Sequence, residues 1–252
     1  MNKQELLSGL TIGSWIQIGS PVVGEIMASA GFDWLAIDLE HSMITLREAE
    51  DLIRVIDLKG VIPLVRLSSN NHEQIKRVMD AGAHGVIVPM VNSAAEALAV
   101  VQSVKYPPLG SRSIGLARAQ GYGVGFDKYF EWQKEQTIIV VQIEHVDAVA
   151  NIEEILEVQG IDAYIVGPYD LSGSMGLPGL FESPQFLSAL QKIHSAGKKL
   201  GVPGGLHIVE PDPEALQECI KQGNQFIAYG IDTRMIDMAC RNGLKNKKDD
   251  IL

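Results

Sequence analysis

Residues 27–38 read MASAGFDWLAID. Small and apolar residues at helical spacing lead to a glycine where a helix C-cap needs a left-handed residue, and a short unbroken apolar run follows. The pattern returns at 78–89 (VMDAGAHGVIVP), 156–167 (LEVQGIDAYIVG), 193–204 (IHSAGKKLGVPG) and 219–230 (CIKQGNQFIAYG). Gly31, Gly82, Gly160, Gly197 and Gly223 are the expected caps. The apolar runs do not alternate, as parallel strands buried on both faces require.

Outward from these repeats, eight strands are predicted: Gly13–Ile18, Trp34–Leu39, Ile62–Leu67, Gly85–Met90, Ile138–Glu144, Ala163–Gly167, Leu200–Gly204 and Phe226–Gly230. Helical patterns separate most of them at intervals of roughly 25 residues. A right-handed strand–helix–strand unit repeated eight times closes into a (β/α)₈ barrel, the TIM-barrel α/β class, and 252 residues is an ordinary length for one. The competing doubly wound sheet usually has fewer strands and a glycine-rich first turn, whereas residues 18–25 read IGSPVVGE. One barrel domain over residues 1–252 is expected, with a C-terminal helix at about 232–246. The segment Tyr106–Lys128, rich in Gly, Pro and Arg, interrupts the repeat as a long loop of the kind that tends to carry function.

The composition narrows the partners. A formal net charge of −10, with KNKK at 245–248 as the one basic cluster, disfavours a nucleic-acid surface. No apolar run reaches the roughly 18 residues of a membrane span, and the polar start MNKQELLSGL lacks a signal-peptide core. A cytoplasmic enzyme is expected. Cys219 and Cys240 fall in helical stretches and form neither a disulfide framework nor a metal motif.

In a barrel, residues at the C-terminal ends of strands face the active-site mouth. That rule selects Asp38, Glu40 and His41 after strand two, and Arg66 on strand three. It also selects Gln142, Glu144 and His145 at strand five, and Tyr169 and Asp170 after strand six. Charged groups ending apolar strands are costly to bury unless paired or bound to something. Glu144 and Asp170, at neighbouring strands, can converge on a hard divalent cation such as Mg²⁺ or Mn²⁺, or work as an acid–base pair. No His/Cys cluster favours zinc. Arg66 can hold an oxyanion, and Gln142 shares the inward face of strand five with Glu144. His41, with Asp38 and Glu40 close by, suits a general base. His145 and His207 follow strands and can line the mouth; His72, His84 and His194 read as packing or surface residues. No strand ends in a lysine, which argues against a Schiff-base mechanism. Nor does any nucleotide-cofactor fingerprint stand out.

Taken together, AGFDWLAIDLEHS, PLVRL, DAGAHGVIVPMV, KYPPLGSRSIG, VVQIE, GPYDLSGSMG and FIAYGIDT resemble the HpcH/HpaI aldolase family, in order, from about residue 10 to 240. The resemblance implies a class II aldolase of the pyruvate/phosphoenolpyruvate barrel superfamily. Such an enzyme reversibly cleaves a 4-hydroxy-2-oxo acid to pyruvate and an aldehyde through a metal-stabilised enolate. It implies Glu144 and Asp170 as ligands of Mg²⁺, Mn²⁺ or Co²⁺, Arg66 and Gln142 on the pyruvate, and His41 as proton handler supported by Asp38. The backbone near Tyr169 and Asp170 is expected to hold the carboxylate. The resemblance also implies a homo-oligomer, commonly a hexamer, with the C-terminal helix exchanged between subunits. Leu39, where many members have glycine, the Ser42–Ile44 turn and the bulky Tyr169 depart from the family pattern on the second-substrate side, where the loop SRSIGLARAQGYG is also expected. The alternative is a condensing enzyme of the same family that joins an enolate to a 2-oxo acid, using oxaloacetate and an acyl donor. A degenerate barrel kept for binding is disfavoured, because Glu144, Asp170 and Arg66 are all retained.

Overall fold

The architecture is that of a computed structural model, which describes residues 1–244. Eight parallel strands close in chain order into a barrel: β1 (Thr11–Ile16), β2 (Trp34–Asp38), β3 (Ile62–Arg66), β4 (Gly85–Val88), β5 (Ile138–Ile143), β6 (Ala163–Val166), β7 (Gly204–Ile208) and β8 (Phe226–Ile231). The helices are α1 (Lys3–Leu7), α2 (Pro21–Ala28), α3 (Leu46–Leu58), α4 (His72–Asp80), α5 (Ala94–Val104), α6 (Phe126–Gln136), α7 (Val146–Ala150), α8 (Ile152–Leu156), α9 (Pro168–Ser174), α10 (Pro184–Leu200), α11 (Pro213–Lys221) and α12 (Asp232–Gly243). Among the described residues, no helix is long and apolar enough to cross a membrane.

Two apolar layers result. Outward side chains such as Leu35, Ile37, Val65 and Val141 pack against Leu52, Ile56, Ile75 and Val100 of the helices. Inward ones alternate with them and fill the barrel: Trp34 and Ala36, Ile62 and Leu64, Ile138 and Val140, Phe226 and Ala228. Trp34 stacks on Phe226 with ring centroids 4.4 Å apart, and Gly13 makes the room, since a Cβ there would lie 2.0 Å from the indole. The helix α1 closes the lower end by inserting Leu6 into this inner cluster, and Lys3 Nζ anchors it to Asp162 at 2.6 Å.

Gly31, Gly82, Gly160 and Gly223 adopt the left-handed backbone expected of caps. Gly197 does not. It lies inside α10 against Tyr164, where a Cβ would come within 2.5 Å of the ring, and the helix ends instead at left-handed Gly201. Strand seven therefore starts at Gly204, where it was expected to end. Helix α12 ends at Gly243, and positions 245–246 of the expected helix lie outside the described residues.

The loop between α5 and α6 corrects another expectation. It follows α5 and, through α6, leads back to the start of β5, so it belongs to the lower face, opposite the strand ends that carry the acids. Arg112 to Asp80 (3.3 Å), Arg118 to Asp57 (2.8 Å) and Gln120 to Tyr106 (2.7 Å) pin it there, so it does not line the mouth of its own barrel.

Candidate active site

The inward columns change character as they rise. On β2, Trp34 and Ala36 give way to Asp38; on β3, Ile62 and Leu64 give way to Arg66; on β5, Ile138 and Val140 give way to Gln142. The register pairs Asp38 directly with Arg66. Arg66 Nε and Nη2 donate to the two Asp38 oxygens at 2.9 and 2.7 Å, with both side chains buried. The guanidinium also lies 4.4 Å over the Trp15 ring. Asp38 accepts further from the Gln17 amide (2.9 Å) and from the Glu40 and His41 backbone N–H groups (3.0 and 3.2 Å). Burial works to raise the Asp38 carboxyl, but the Arg66 bonds and charge, Gln17 and the His41 N–H outweigh it and hold it below the ordinary carboxylate range.

This corrects the expected support of His41. Asp38 touches only the backbone of that residue, and its charge is spent on Arg66. The carboxylate beside the His41 ring is Glu40, whose Oε2 stands 3.8 Å from Nε2, and His41 itself is largely exposed at the rim.

Glu144 follows β5 and is buried. Its Oε1 accepts from the Met90 N–H at 2.7 Å, and its Oε2 from the Gln142 amide. Met90 holds a left-handed backbone (φ 53°), which a non-glycine residue adopts at some cost, so strain is stored where the carboxylate is positioned. Gly167 leaves space for the same group, since a Cβ would stand 2.8 Å from Glu144 Oε2. Asp170 is not at the strand end itself but in the first turn of α9. The N–H groups of Tyr169 and Asp170 precede the first intrahelical bond, from Leu171 to Gly167, and so remain available to an anion.

Three carboxylates thus press on one another. Burial, then the charge of Glu40, pushes Glu144 up to about 7 against the Met90 and Gln142 bonds, with Asp170 adding. Burial likewise pushes Glu40 up to about 7 against Arg66, with Asp38 and Asp170 adding. Glu40 Oε2 lies 3.3 Å from Arg66 Nη1 but makes no hydrogen bond. Crowded oxygen donors of one sign suit a hard divalent cation. Among the described residues no three His, Cys, Asp or Glu side chains form a ready metal cluster, so two carboxylates would leave the remaining positions to water and substrate.

A cavity of about 240 Å³ opens beside these groups, and Arg66, Gln142, Asp170, His41, Trp15 and His207 are among the residues that line it. Of the remaining histidines, His145 instead caps α7, and His84 lies at the lower face beside Asp57 and Trp132.

Across residues 11–239 the chain matches the model of the HpcH/HpaI aldolase/citrate lyase family. It belongs to that family. A hydroxypyruvate/pyruvate aldolase of Sagittula stellata is 40% identical over 229 residues, covering 90% of this chain and 89% of the relative. A 4-hydroxy-2-oxovalerate aldolase of Rhodococcus jostii is 39% identical, covering 93% and 90%. In three dimensions, the HpcH/HpaI aldolase of Desulfitobacterium hafniense superposes with a TM-score of 0.89 at 31% identity, covering 98% of this chain and 95% of that one. Membership in this aldolase family makes the chain a carbon–carbon lyase acting on small molecules.

Reading from sequence passed over Gln17, Trp15, Met90 and Asp232. The inward alternation Gly13, Trp15, Gln17 was the available signal for two of them. Buried Asp232 accepts from the N–H groups of Gln17, Ile18 and Thr233 at 2.8–3.1 Å, tying the exit of β1 to the start of α12. Met90 acts through its backbone, which no residue type announces.

Proposed function

We propose that this enzyme reversibly cleaves a 4-hydroxy-2-oxo acid into pyruvate and an aldehyde, with a divalent cation held by Glu144 and Asp170. The observation that carries the reading is the crowding of Glu40, Glu144 and Asp170 beside Arg66, with Arg66 and Asp170 lining one cavity. A divalent cation held by Glu144 and Asp170 would supply fixed positive charge that favours the enolate of the 2-oxo acid. The protein does the rest. The Tyr169 and Asp170 N–H groups hold the carboxylate, and Gln142 orients the bound acid. Arg66, with its fork clamped by Asp38, presents Nη1 to the C2 oxygen as charge accumulates there.

In cleavage the proton of the C4 hydroxyl leaves toward His41, at the rim beside Glu40. The C3–C4 bonding pair then becomes the C2–C3 double bond of the enolate, and C4 departs as the aldehyde carbonyl. Protonation at C3 yields pyruvate, and the same steps reversed give synthesis. The relatives named above are aldolases, which supports cleavage over the condensing alternative.

Mg²⁺ or Mn²⁺ fits the oxygen-only donor set, and Co²⁺ is to be compared with them. We also infer a cytoplasmic homo-oligomer of hexameric type in which α12 packs on a neighbouring copy. In support, Asp232 is the one buried residue of α12, and Ile236 is exposed on it. Light scattering on the purified chain tests the stoichiometry.

The test of function is pyruvate release from a panel of 4-hydroxy-2-oxo acids, with EDTA and with Mg²⁺, Mn²⁺ or Co²⁺ restored. Metal-restored release that disappears in Glu144→Ala is the expected result. Metal binding without release from any acid would point to the condensing reaction, tried with oxaloacetate and acetyl-CoA.

A further inference from the structure

The two oxygens of Asp38 are held unequally. Oδ1 accepts from Arg66 Nε (2.9 Å) and from the Glu40 and His41 backbone N–H groups. Oδ2 accepts from Arg66 Nη2 (2.7 Å) and from the side-chain amide of Gln17 (2.9 Å). Among the described residues, Gln17 is thus the one group besides Arg66 that fixes Oδ2. The guanidinium has no other hydrogen-bonded anchor: it meets the Trp15 ring at 4.4 Å, and Glu40 Oε2 at 3.3 Å without a hydrogen bond. Burial and the charge of Arg66 push His207, in the same cavity, well down, so that ring stays neutral and offers no countercharge. A carboxylate fixed at one oxygen can twist, and a guanidinium bonded to both oxygens turns with it.

Gln17 is the first residue beyond β1, and a distant segment seats it. Gly13 pairs with Ala228 and Trp15 with Ile231, so two steps on β1 face three on β8. Left-handed Gly230 (φ 68°) permits this bulge, and the Ser14 hydroxyl donates to its carbonyl at 3.2 Å. Bulges beside active sites re-aim the residues that follow them. Here the residue is buried Asp232, which accepts from the Gln17 N–H at 3.0 and 3.1 Å and from the Ile18 N–H at 2.9 Å. The Thr233 hydroxyl reaches Gln17 Oε1 at 3.4 Å, which leaves the amide N–H turned to Asp38.

We propose that Gln17 is a positioning residue for the enolate-forming step: seated by Asp232 across the β8 bulge, it fixes the Asp38 carboxylate and so aims Arg66 at the oxygen where enolate charge develops. This rests on the aldolase reading above. The amide is neutral, so its removal changes the aim of Arg66 and leaves the formal charge of the site as it was. The enolate should therefore lose more than the ground-state acid does.

The test pairs binding with turnover. Oxalate, a planar dianion that resembles the pyruvate enolate, and pyruvate itself are titrated by calorimetry with Mg²⁺ present. Exchange of the pyruvate C3 protons in heavy water, followed by NMR, gives kcat and KM. In Gln17→Met, oxalate should bind about tenfold more weakly and kcat should fall about tenfold, the order of one hydrogen bond to a charged group. The Kd and KM of pyruvate should change by less than about threefold. Gln17→Glu keeps the length but sets an acid against Asp38; it should show the same split, and serves if Gln17→Met lowers the melting temperature. In an Asp38→Ala background, Gln17→Met should have no further effect, because the acceptor is gone. Unchanged oxalate binding and kcat, equal losses for oxalate and pyruvate, or a full effect without Asp38 overturns the positioning role and leaves the aldolase reading intact. Absence of Mg²⁺-dependent exchange in the parent enzyme overturns both.

Discussion

The lower and upper halves of the barrel interior are built largely from the same strands, four residues apart on β2, β3 and β5, and they do opposite things. Below, Trp34, Phe226, Ile62 and Ile138 form a sealed apolar plug closed from beneath by Leu6. Above, Asp38, Arg66 and Gln142 crowd polar groups into nearly the same burial, and Gln142 Oε1, like Nε2 of the half-buried His207, lacks a partner. The lower half stabilises the fold and touches no substrate. In the upper half, stability is given up for chemistry, because buried carboxylates that repel each other are worth more to a bound cation than to the folded chain.

Glu144→Ala sharpens the contrast most. Metal-restored pyruvate release should fall by about a thousandfold or more, since the proposed cation site would lose one of its two carboxylates. The melting temperature should hold or rise as one of the crowded charges disappears. A large drop in melting temperature would break the comparison, because Glu144 would then be a structural residue. At the other end, Trp34→Ala should destabilise the fold by about 3–5 kcal/mol in a denaturant titration. The molecules that remain folded should keep a near-parental KM.

Asp38→Asn lies at the boundary between the halves. The amide retains the shape but loses the charge that clamps the Arg66 fork. We expect kcat to fall by roughly 10–100-fold with a smaller change in KM, and stability to fall by about 1–3 kcal/mol. Equal losses in kcat/KM through KM alone would mean that Arg66 only binds.

The smallest effect is the pH dependence of stability from His207. Folding lowers its pKa from the ordinary 6.5 to about 3, so between those values the unfolded chain binds a proton that the folded chain refuses. Stability from this group is therefore complete above pH 6.5 and declines as the pH falls toward 3. His207→Gln should flatten that part of the profile in melts across the range.

The same contrast explains what was legible in the sequence. The lower half and the outer layer follow from unbroken apolar runs and capping glycines, so seven strands fall where they were expected to within two residues. The seventh strand was misplaced because GKKLGVPGG offers two glycines as caps, and only packing against Tyr164 decides that Gly197 stays helical. In the upper half, acids and an arginine at strand ends are visible as residue types, whereas their pairing is not. Asp38 and Glu40 both stand within three residues of His41 in the chain, and cross-strand register hands Asp38 to Arg66. Gln17, Met90 and Asp232 act through contacts with distant segments or through a main-chain N–H.

The stopper formed by α1 has a consequence for the order of events. With Leu6 plugging the lower end, everything that enters or leaves the barrel interior passes through a single doorway. On the proposed reading the acid sits deepest and the aldehyde nearer the rim, so traffic is last in, first out. The acid binds before the aldehyde in synthesis, and in cleavage the aldehyde departs while pyruvate is still held. Product-inhibition kinetics should carry that signature, with pyruvate competing against the cleaved substrate and the aldehyde inhibiting noncompetitively.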